Sequence, residues 1–160
     1  MRRPLNPMRR SLLTENEGGW VPHRLTLKTS PAWMARPMPL MRILERLEIE
    51  HVRHAGQENG HLYVSYSQFV EAGLSRKAIK ENLEIGELLG LLEVIINDQW
   101  VGYIRQPNTY RLTYLPAKGR RAPTDEWLNV TSAQIQSIMS RSSRRAGQAL
   151  NIHIEKQRIA

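Results

Sequence analysis

The sequence predicts an α+β fold of short helices and a β-hairpin, and three observations between Leu62 and Leu115 carry that reading. Two capped helical segments follow one another across a single glycine turn. The first opens with the S-x-x-Q capping box of Ser65 to Gln68, and the second opens at Ser75. An apolar, β-branched run from Leu91 to Ile96 comes directly after them. Thr109 to Leu115 then alternates apolar and polar residues with the period of a strand.

Taken in order, residues 1–29 hold Pro4, Pro7, Pro22, the Gly18-Gly19 pair and four early arginines, with no sustained period. They read as a largely disordered basic arm. Ser30-Pro31 is a helix start, a cap followed by proline at the first helical position. Trp33 is expected on a short turn, because Pro37 and Pro39 interrupt the chain just beyond it. From Leu40 the spacing becomes regular: Leu40, Ile43, Leu44 and Leu47 share a face that continues to His51. This predicts a long first helix ending near Ala55-Gly56. A polar turn from Gln57 to Gly60 leads to a short strand, Leu62 to Val64. Phe69, Val70 and Ala72 belong to the next helix, Gly73-Leu74-Ser75 to the turn, and Arg76 to Leu89 to the helix that closes at Gly90. A loop from Asp98 to Pro107 separates the two long strands, with the chain reversal expected within Asn97 to Gly102. Pro116 to Pro123 reads as a basic linker. Thr131 and Gln134 repeat the capping spacing ahead of Ile135, Ile138, Met139, Ala146, Ala149 and Leu150, although Ser140, Ser142, Ser143 and Gly147 weaken that helix. The expected organisation is an arm over 1–29, a domain over 30–115, and a linker with a C-terminal helical extension over 116–160.

The chain has 160 residues, 41% of them hydrophobic, and no cysteine, which excludes disulfides, thiolate zinc sites and cysteine nucleophiles. Its longest apolar run, Leu88 to Ile96, is broken by Gly90 and Glu93 and is far short of the roughly 20 residues of a membrane helix. A soluble, cytoplasmic protein is expected. The net charge of +8 is unevenly placed: the arm carries six basic against two acidic residues, residues 30–115 carry nine against ten, and residues 116–160 carry eight against three. Basic flanks on a neutral domain add phosphate contacts to whatever the domain recognises.

The helix after Ser75 breaks a local rule. Arg76, Lys77 and Lys80 sit in its first turns, while Glu81, Glu84 and Glu87 come later. The helix dipole favours the opposite order by roughly 0.3–1 kcal/mol per charge, so the folded state gains nothing obvious from this one. Duplex DNA supplies a reason. In a helix-turn-helix, the start of the second helix meets base edges in the major groove, where Arg76 or Lys77 can donate to guanine. Lys80 takes a base or a phosphate, and Ser75 with the free N–H groups beside it takes a phosphate. In the hairpin, Arg105 is placed to reach the backbone, Arg111 alternates away from the core as a weaker phosphate candidate, and Trp100 is either a tip aromatic or a cover for the hairpin's own apolar face. Lys118, Arg120 and Arg121 of the linker, with Arg2, Arg3, Arg9 and Arg10 of the arm, complete the expected DNA-contacting set.

The segments Tyr66-x-x-Phe69, Gly73-Leu74-Ser75-Arg76-x-x-Ile79, Leu88-Leu89-Gly90-Leu91-Leu92-Glu93-Val94 and Tyr110-Arg111-Leu112-Thr113 resemble small winged helix-turn-helix proteins of bacterial plasmids and other mobile elements. That group includes repressors of conjugative-transfer genes and the N-terminal domains of some replication initiators. The resemblance covers residues 30–130. It implies a three-helix core with a β-hairpin wing, and contact roles for Ser75, Arg76, Lys77, Lys80 and Arg105.

Other chemistries are less well served. Glu48, Glu50, His51, His54, Glu58 and His61 cluster in sequence, and His51-x-x-His54 has a spacing that can share a metal on a helix. No H-E-x-x-H accompanies it, and histidines exposed at the end of an amphipathic helix are the better account. There is no G-x-S-x-G, no phosphate-binding glycine loop and no dinucleotide fingerprint. The expectation is a non-enzymatic, cofactor-free and metal-free regulator, more readily a repressor, that binds double-stranded DNA on the nucleoid, with a homodimer as a candidate assembly. Its rivals are an accessory DNA-binding protein of plasmid replication or recombination, and a protein-interaction module on the same fold.

Overall fold

The computed structural model describes residues 19–159. In chain order the elements are α1 (Leu25–Lys28), α2 (Pro31–Met34), α3 (Met38–Arg53), α4 (Tyr66–Glu71), α5 (Arg76–Leu88), β1 (Leu92–Ile95), β2 (Trp100–Val101), β3 (Ile104–Arg105), β4 (Thr109–Leu112), a 3₁₀ turn (Glu126–Asn129) and α6 (Ser132–Ile159). This is a mixed α+β arrangement with a small antiparallel sheet, compatible with the expected winged helix. Among the described residues no helix is long and apolar enough to cross a membrane.

The caps act where hydroxyls precede apolar periods. The Ser30 Oγ accepts the Trp33 N–H at 3.1 Å, with Pro31 next in line. At Ser65 both halves of the capping box are made: its Oγ accepts the Gln68 N–H, and the Gln68 side chain accepts the Ser65 N–H at 2.8 Å. Helices α3, α4 and α5 all end in the same way. In each, the residue after the cap adopts positive φ and the next N–H returns to a carbonyl five residues earlier, as in Gly56 to His51, Leu74 to Phe69 and Leu91 to Gly86. Glycine occupies the positive-φ position in two of the three; in α3 it is Ala55, at φ 53°.

β1 pairs antiparallel with β4, placing Leu92 opposite Leu112 and Val94 opposite Tyr110. The strand expected over Leu62 to Val64 is reduced to one bridge, Leu62 with Tyr110, because the chain leaves the sheet at once to cap α4. The segment read as a loop from Asp98 to Pro107 is instead the outer half of a longer ribbon. There β2 pairs with β3, with Trp100 opposite Arg105 and Val101 opposite Ile104. The reversal falls at Gly102-Tyr103 rather than within Asn97 to Gly102. Residues of high strand preference flank a two-residue turn that begins with glycine, which is a hairpin signal in its own right.

One core joins Leu40, Ile43, Leu44 and Leu47 of α3 to Phe69, Ile79 and Leu83 of the next two helices, and to Leu92, Tyr110 and Leu112 of the sheet. It also reaches beyond the expected domain limits. Leu27, assigned by the sequence to the arm, is buried on α1, and Trp127 and Ile138 join the same cluster from the far side. Trp127 comes close because Gly90 lacks a side chain: a Cβ there would lie 2.7 Å from the Glu126–Trp127 backbone. The N-terminal segment is fastened at a second point. The Glu48 Oε1 faces His23 Nε2 at 2.8 Å and accepts the Tyr114 hydroxyl at 2.5 Å, while the rings of His23, Trp33 and Tyr114 meet edge to face. Burial, then the neighbouring Glu48 carboxylate, pushes the Tyr114 hydroxyl well above its ordinary pKa and keeps it a donor. The Arg36 guanidinium lies 3.4 Å from the Trp33 ring centroid.

His51 corrects the picture of exposed helix-end histidines. It lies on the inner stripe of α3 and is buried, its Nδ1 has no hydrogen-bond partner among the described residues, and desolvation lowers its pKa. His54 is exposed and faces Glu50 at 3.1 Å.

Asn59 is fully buried and holds the ends of three segments together. Its Nδ2 donates to the carbonyls of Leu112 (2.8 Å), Leu115 (3.0 Å) and Pro116 (3.2 Å), and its Oδ1 accepts the Leu112 N–H at 2.7 Å. A buried polar group left without its partner costs about 1–3 kcal/mol, so Asn59→Ala is expected to lower unfolding free energy by about 2–4 kcal/mol. Urea denaturation followed by circular dichroism measures this, and a loss below about 1 kcal/mol would mean that water replaces the amide.

Candidate nucleic-acid interface

The candidate interface is built around the turn between α4 and α5. Phe69 and Leu74 anchor the turn in the core. Gly73, at φ 88°, lets the chain reverse between them: its N–H donates to the Val70 carbonyl at 2.9 Å, and the Leu74 N–H donates to that of Phe69 at 3.2 Å. Arg42 of α3 donates to the Gly73 carbonyl at 3.4 Å, and a Cβ on Gly73 would meet its guanidinium at 2.7 Å. Ser75 then caps α5, its Oγ accepting the Ala78 N–H at 3.2 Å. Helix α5 buries Ile79, Asn82, Leu83, Ile85 and Gly86 against α3 and the sheet. That packing fixes its rotation and turns Arg76, Lys77 and Lys80 outward.

All three cations are exposed. Lys77 lies 4.0 Å from Glu81, the outer limit of an ion pair, and its side chain is 65% exposed. Arg76 and Lys80 make no ion pair with any described residue. The later part of α5 has a different environment. Glu81, Glu84, Ile85 and Leu88 border a narrow cleft whose other wall is Ile138, Arg141 and Ser142 of α6, with Ile138 buried. The acidic end of α5 therefore borders the C-terminal helix across this cleft, a placement that the order of charges alone does not reveal.

The remaining expected contacts divide. Arg111 does lie on the outer face of β4, but it is occupied: its Nε donates to Glu93 and its Nη2 to Glu126, both at 2.6 Å, and its Nη1 bonds the Thr124 hydroxyl. Burial works against its charge, and the hydrogen bonds to Glu126 and Glu93 outweigh that and raise its pKa. Burial pushes the Glu126 carboxyl up, and the hydrogen bonds it accepts from the Thr124 hydroxyl and then from Arg111 outweigh that and hold it below its usual range. Arg111 is thus a clamp between sheet and 3₁₀ turn. Lys118 is also engaged, with its ammonium 2.8 and 2.9 Å from the two Glu58 oxygens. Arg120 and Arg121 stand exposed in the following turn. Arg105 is placed by register opposite Trp100, and its side chain lies outside the described residues, as do Arg2, Arg3, Arg9 and Arg10 entirely.

Two features lie outside the expected set. A cleft of about 280 Å³ opens between the start of α4 and the base of the ribbon, lined by Ser65, Tyr66, Gln106, Pro107 and Asn108 among others. The outer ribbon itself exposes Trp100, Val101, Tyr103 and Ile104. Among the described residues, no three His, Asp or Glu side chains converge as metal ligands would.

The division of roles is testable in the absence of any ligand. Arg111→Met removes a clamp whose carboxylates remain partly wet, and is expected to cost about 1 kcal/mol of stability. Arg76→Met is expected to change stability by less than about 0.5 kcal/mol. Paired thermal melts compare them, and equal losses would place Arg76 in a structural role. Comparison of the chain with protein-family models, with curated proteins and with solved structures gives no match, so the site is read from its own residues.

Proposed function

We propose that this chain is a sequence-specific, double-stranded DNA-binding protein of the winged helix-turn-helix kind, acting on the nucleoid in the cytoplasm as a transcriptional regulator and as a repressor by occupying its operator. The observation that carries this is the state of Arg76 and Lys80. They are exposed cations at the start of a capped helix, rigidly oriented by its buried face and unengaged by any described carboxylate. A helix N-terminus held this way meets the major groove with backbone N–H groups and cationic side chains together. Ser75, Arg76 and Lys77 take base edges and the nearest phosphate, and Lys80 takes a base or the backbone. Arg120 and Arg121, with the arginines of residues 1–18, add contacts that depend on charge rather than sequence. Arg111 and Lys118 drop out of the contact set, since each already holds a carboxylate. The protein has no catalytic part in this reading and needs no cofactor. A role in plasmid replication or recombination would use the same surface and differ only in where the bound site lies.

Arg76→Glu with Lys80→Glu is expected to weaken binding to a selected duplex by at least a hundredfold. Each lost base contact is worth roughly 1–3 kcal/mol, and each new carboxylate repels phosphate. The far-ultraviolet circular dichroism should not change, and fluorescence anisotropy reads the affinity. Undiminished binding by the folded double variant would end the recognition-helix reading. Deleting residues 1–18 is expected to lower affinity on every duplex and to flatten the dependence of log K on log salt by up to about 0.9 per lost phosphate contact, with the preferred site unchanged. A changed site preference in the same titrations would assign base reading to the arm.

A further inference from the structure

The outer ribbon of the hairpin does not look like a phosphate-binding wing. Trp100 is 63% exposed, Tyr103 is fully exposed, and Ile96, Val101 and Ile104 are each about two-thirds exposed. Residues 96–107 contain one acid, Asp98, and one base, Arg105, so this tip is formally neutral on a chain of net charge +8. A polyanion is a poor match for such a surface. Soluble monomers seldom leave contiguous apolar surface of this kind uncovered.

The register divides the ribbon into two faces. Trp100, opposite Arg105 in register, lies on one face, Val101 and Ile104 share the other, and Tyr103 stands at the turn. β2 and β3 pack mainly on each other. A lone two-stranded hairpin is at best marginally stable in water, and among the described residues neither of its outer edges is paired with a further strand. With roughly 150–250 Å² for a whole aromatic side chain and somewhat less for a branched aliphatic one, the five exposed side chains offer on the order of 700 Å², divided between the two faces and the turn, so covering them takes a partner that clasps the ribbon rather than one flat contact. This area approaches the roughly 800 Å² per partner of a standard interface. A neutral, apolar, open-edged ribbon matches a second ribbon of the same kind, and two-fold symmetry sets one identical patch against itself.

We infer that the ribbon from Ile96 to Ile104 is the homodimer interface of this protein, with the same ribbon of a second copy as its occupant. Dimerisation through the wing ties two α5 helices together at a spacing fixed by the two hairpins, independently of whether α5 reads DNA. The dimer is a property of the free protein.

Sedimentation equilibrium of the full-length chain without nucleic acid tests this over roughly 0.5–100 μM. The wild type is expected to be a dimer that dissociates on dilution, and Trp100→Ser with Tyr103→Ser to weaken the dimer at least a hundredfold while the far-ultraviolet circular dichroism stays unchanged and the thermal midpoint loses its dependence on protein concentration. Because the chain has no cysteine, Gln99→Cys gives an independent readout. It should form a disulfide-linked dimer on mild oxidation, whereas Leu128→Cys, exposed on the 3₁₀ turn, should not. A wild type that stays monomeric at 100 μM overturns the inference, as does a dimer that survives the double substitution, which would place the interface elsewhere. A monomeric wild type whose DNA affinity falls with Trp100→Ser and Tyr103→Ser would make the ribbon a minor-groove contact instead. Arg76→Glu with Lys80→Glu should leave the dimer intact, so failure of the DNA reading and failure of this one are separately visible.

Discussion

The arrangement hangs on one buried amide. Asn59 sits in the loop after α3, yet all its hydrogen bonds go to residues more than fifty positions later, at the end of β4 and the start of the linker. Leu112 ends β4, and Leu115 and Pro116 lie just beyond it, where no ladder partner remains; buried carbonyls left unpaired there each cost about as much as a lost hydrogen bond. Satisfying them fixes where the Leu62 bridge lies against Tyr110. That bridge in turn sets where the chain enters α4, and α4 with its glycine turn sets the origin of α5. The position of the cations at the start of α5 thus traces back, through three short steps, to an asparagine that touches none of them.

The parts of this structure that were legible in the sequence are those with local causes. Hydroxyl caps at Ser30, Ser65 and Ser75 and the reversals at Gly73 and Gly90 depend on backbone groups within five residues, so a linear reading finds them. The burial of α3 followed from its period, and its stripe already included His51; reading that residue as exposed gave weight to its place at the helix end and too little to its phase. What stayed hidden depends on partners far along the chain. Leu27 and Trp127 are a hundred positions apart, and their shared core has no mark in either neighbourhood. Arg111 is separated from Glu93 by the pairing register and from Glu126 by a linker, and Lys118 from Glu58 by most of the domain. Each looks like a free cation until the fold supplies its carboxylate.

The near-neutrality of residues 30–115 is not evenly spread. Acids gather on Glu81, Glu84, Glu87 and Glu93, while at the start of α5 Lys77 only just reaches Glu81 and Arg76 and Lys80 pair with no described residue. Of the cations expected to meet phosphate, those held by the folded body against carboxylates serve cohesion. The ones left over lie on α5 and in exposed turns. A sum over the sequence cannot separate these two populations, because the difference lies in what stands opposite each side chain.

Helix α5 is a single rod of 13 residues, roughly 20 Å long at 1.5 Å per residue. Its cationic end is open and its acidic end rests on α6, so the two ends belong to different surfaces of one rigid body. Between those ends Ile79, Leu83 and Gly86 clamp the rod along its length against α3 and β1, so a load at either end is taken up by the core. In mechanical terms α5 is a clamped beam rather than a lever, and what α6 meets along its 28 residues reaches the cationic end only through the core that holds both.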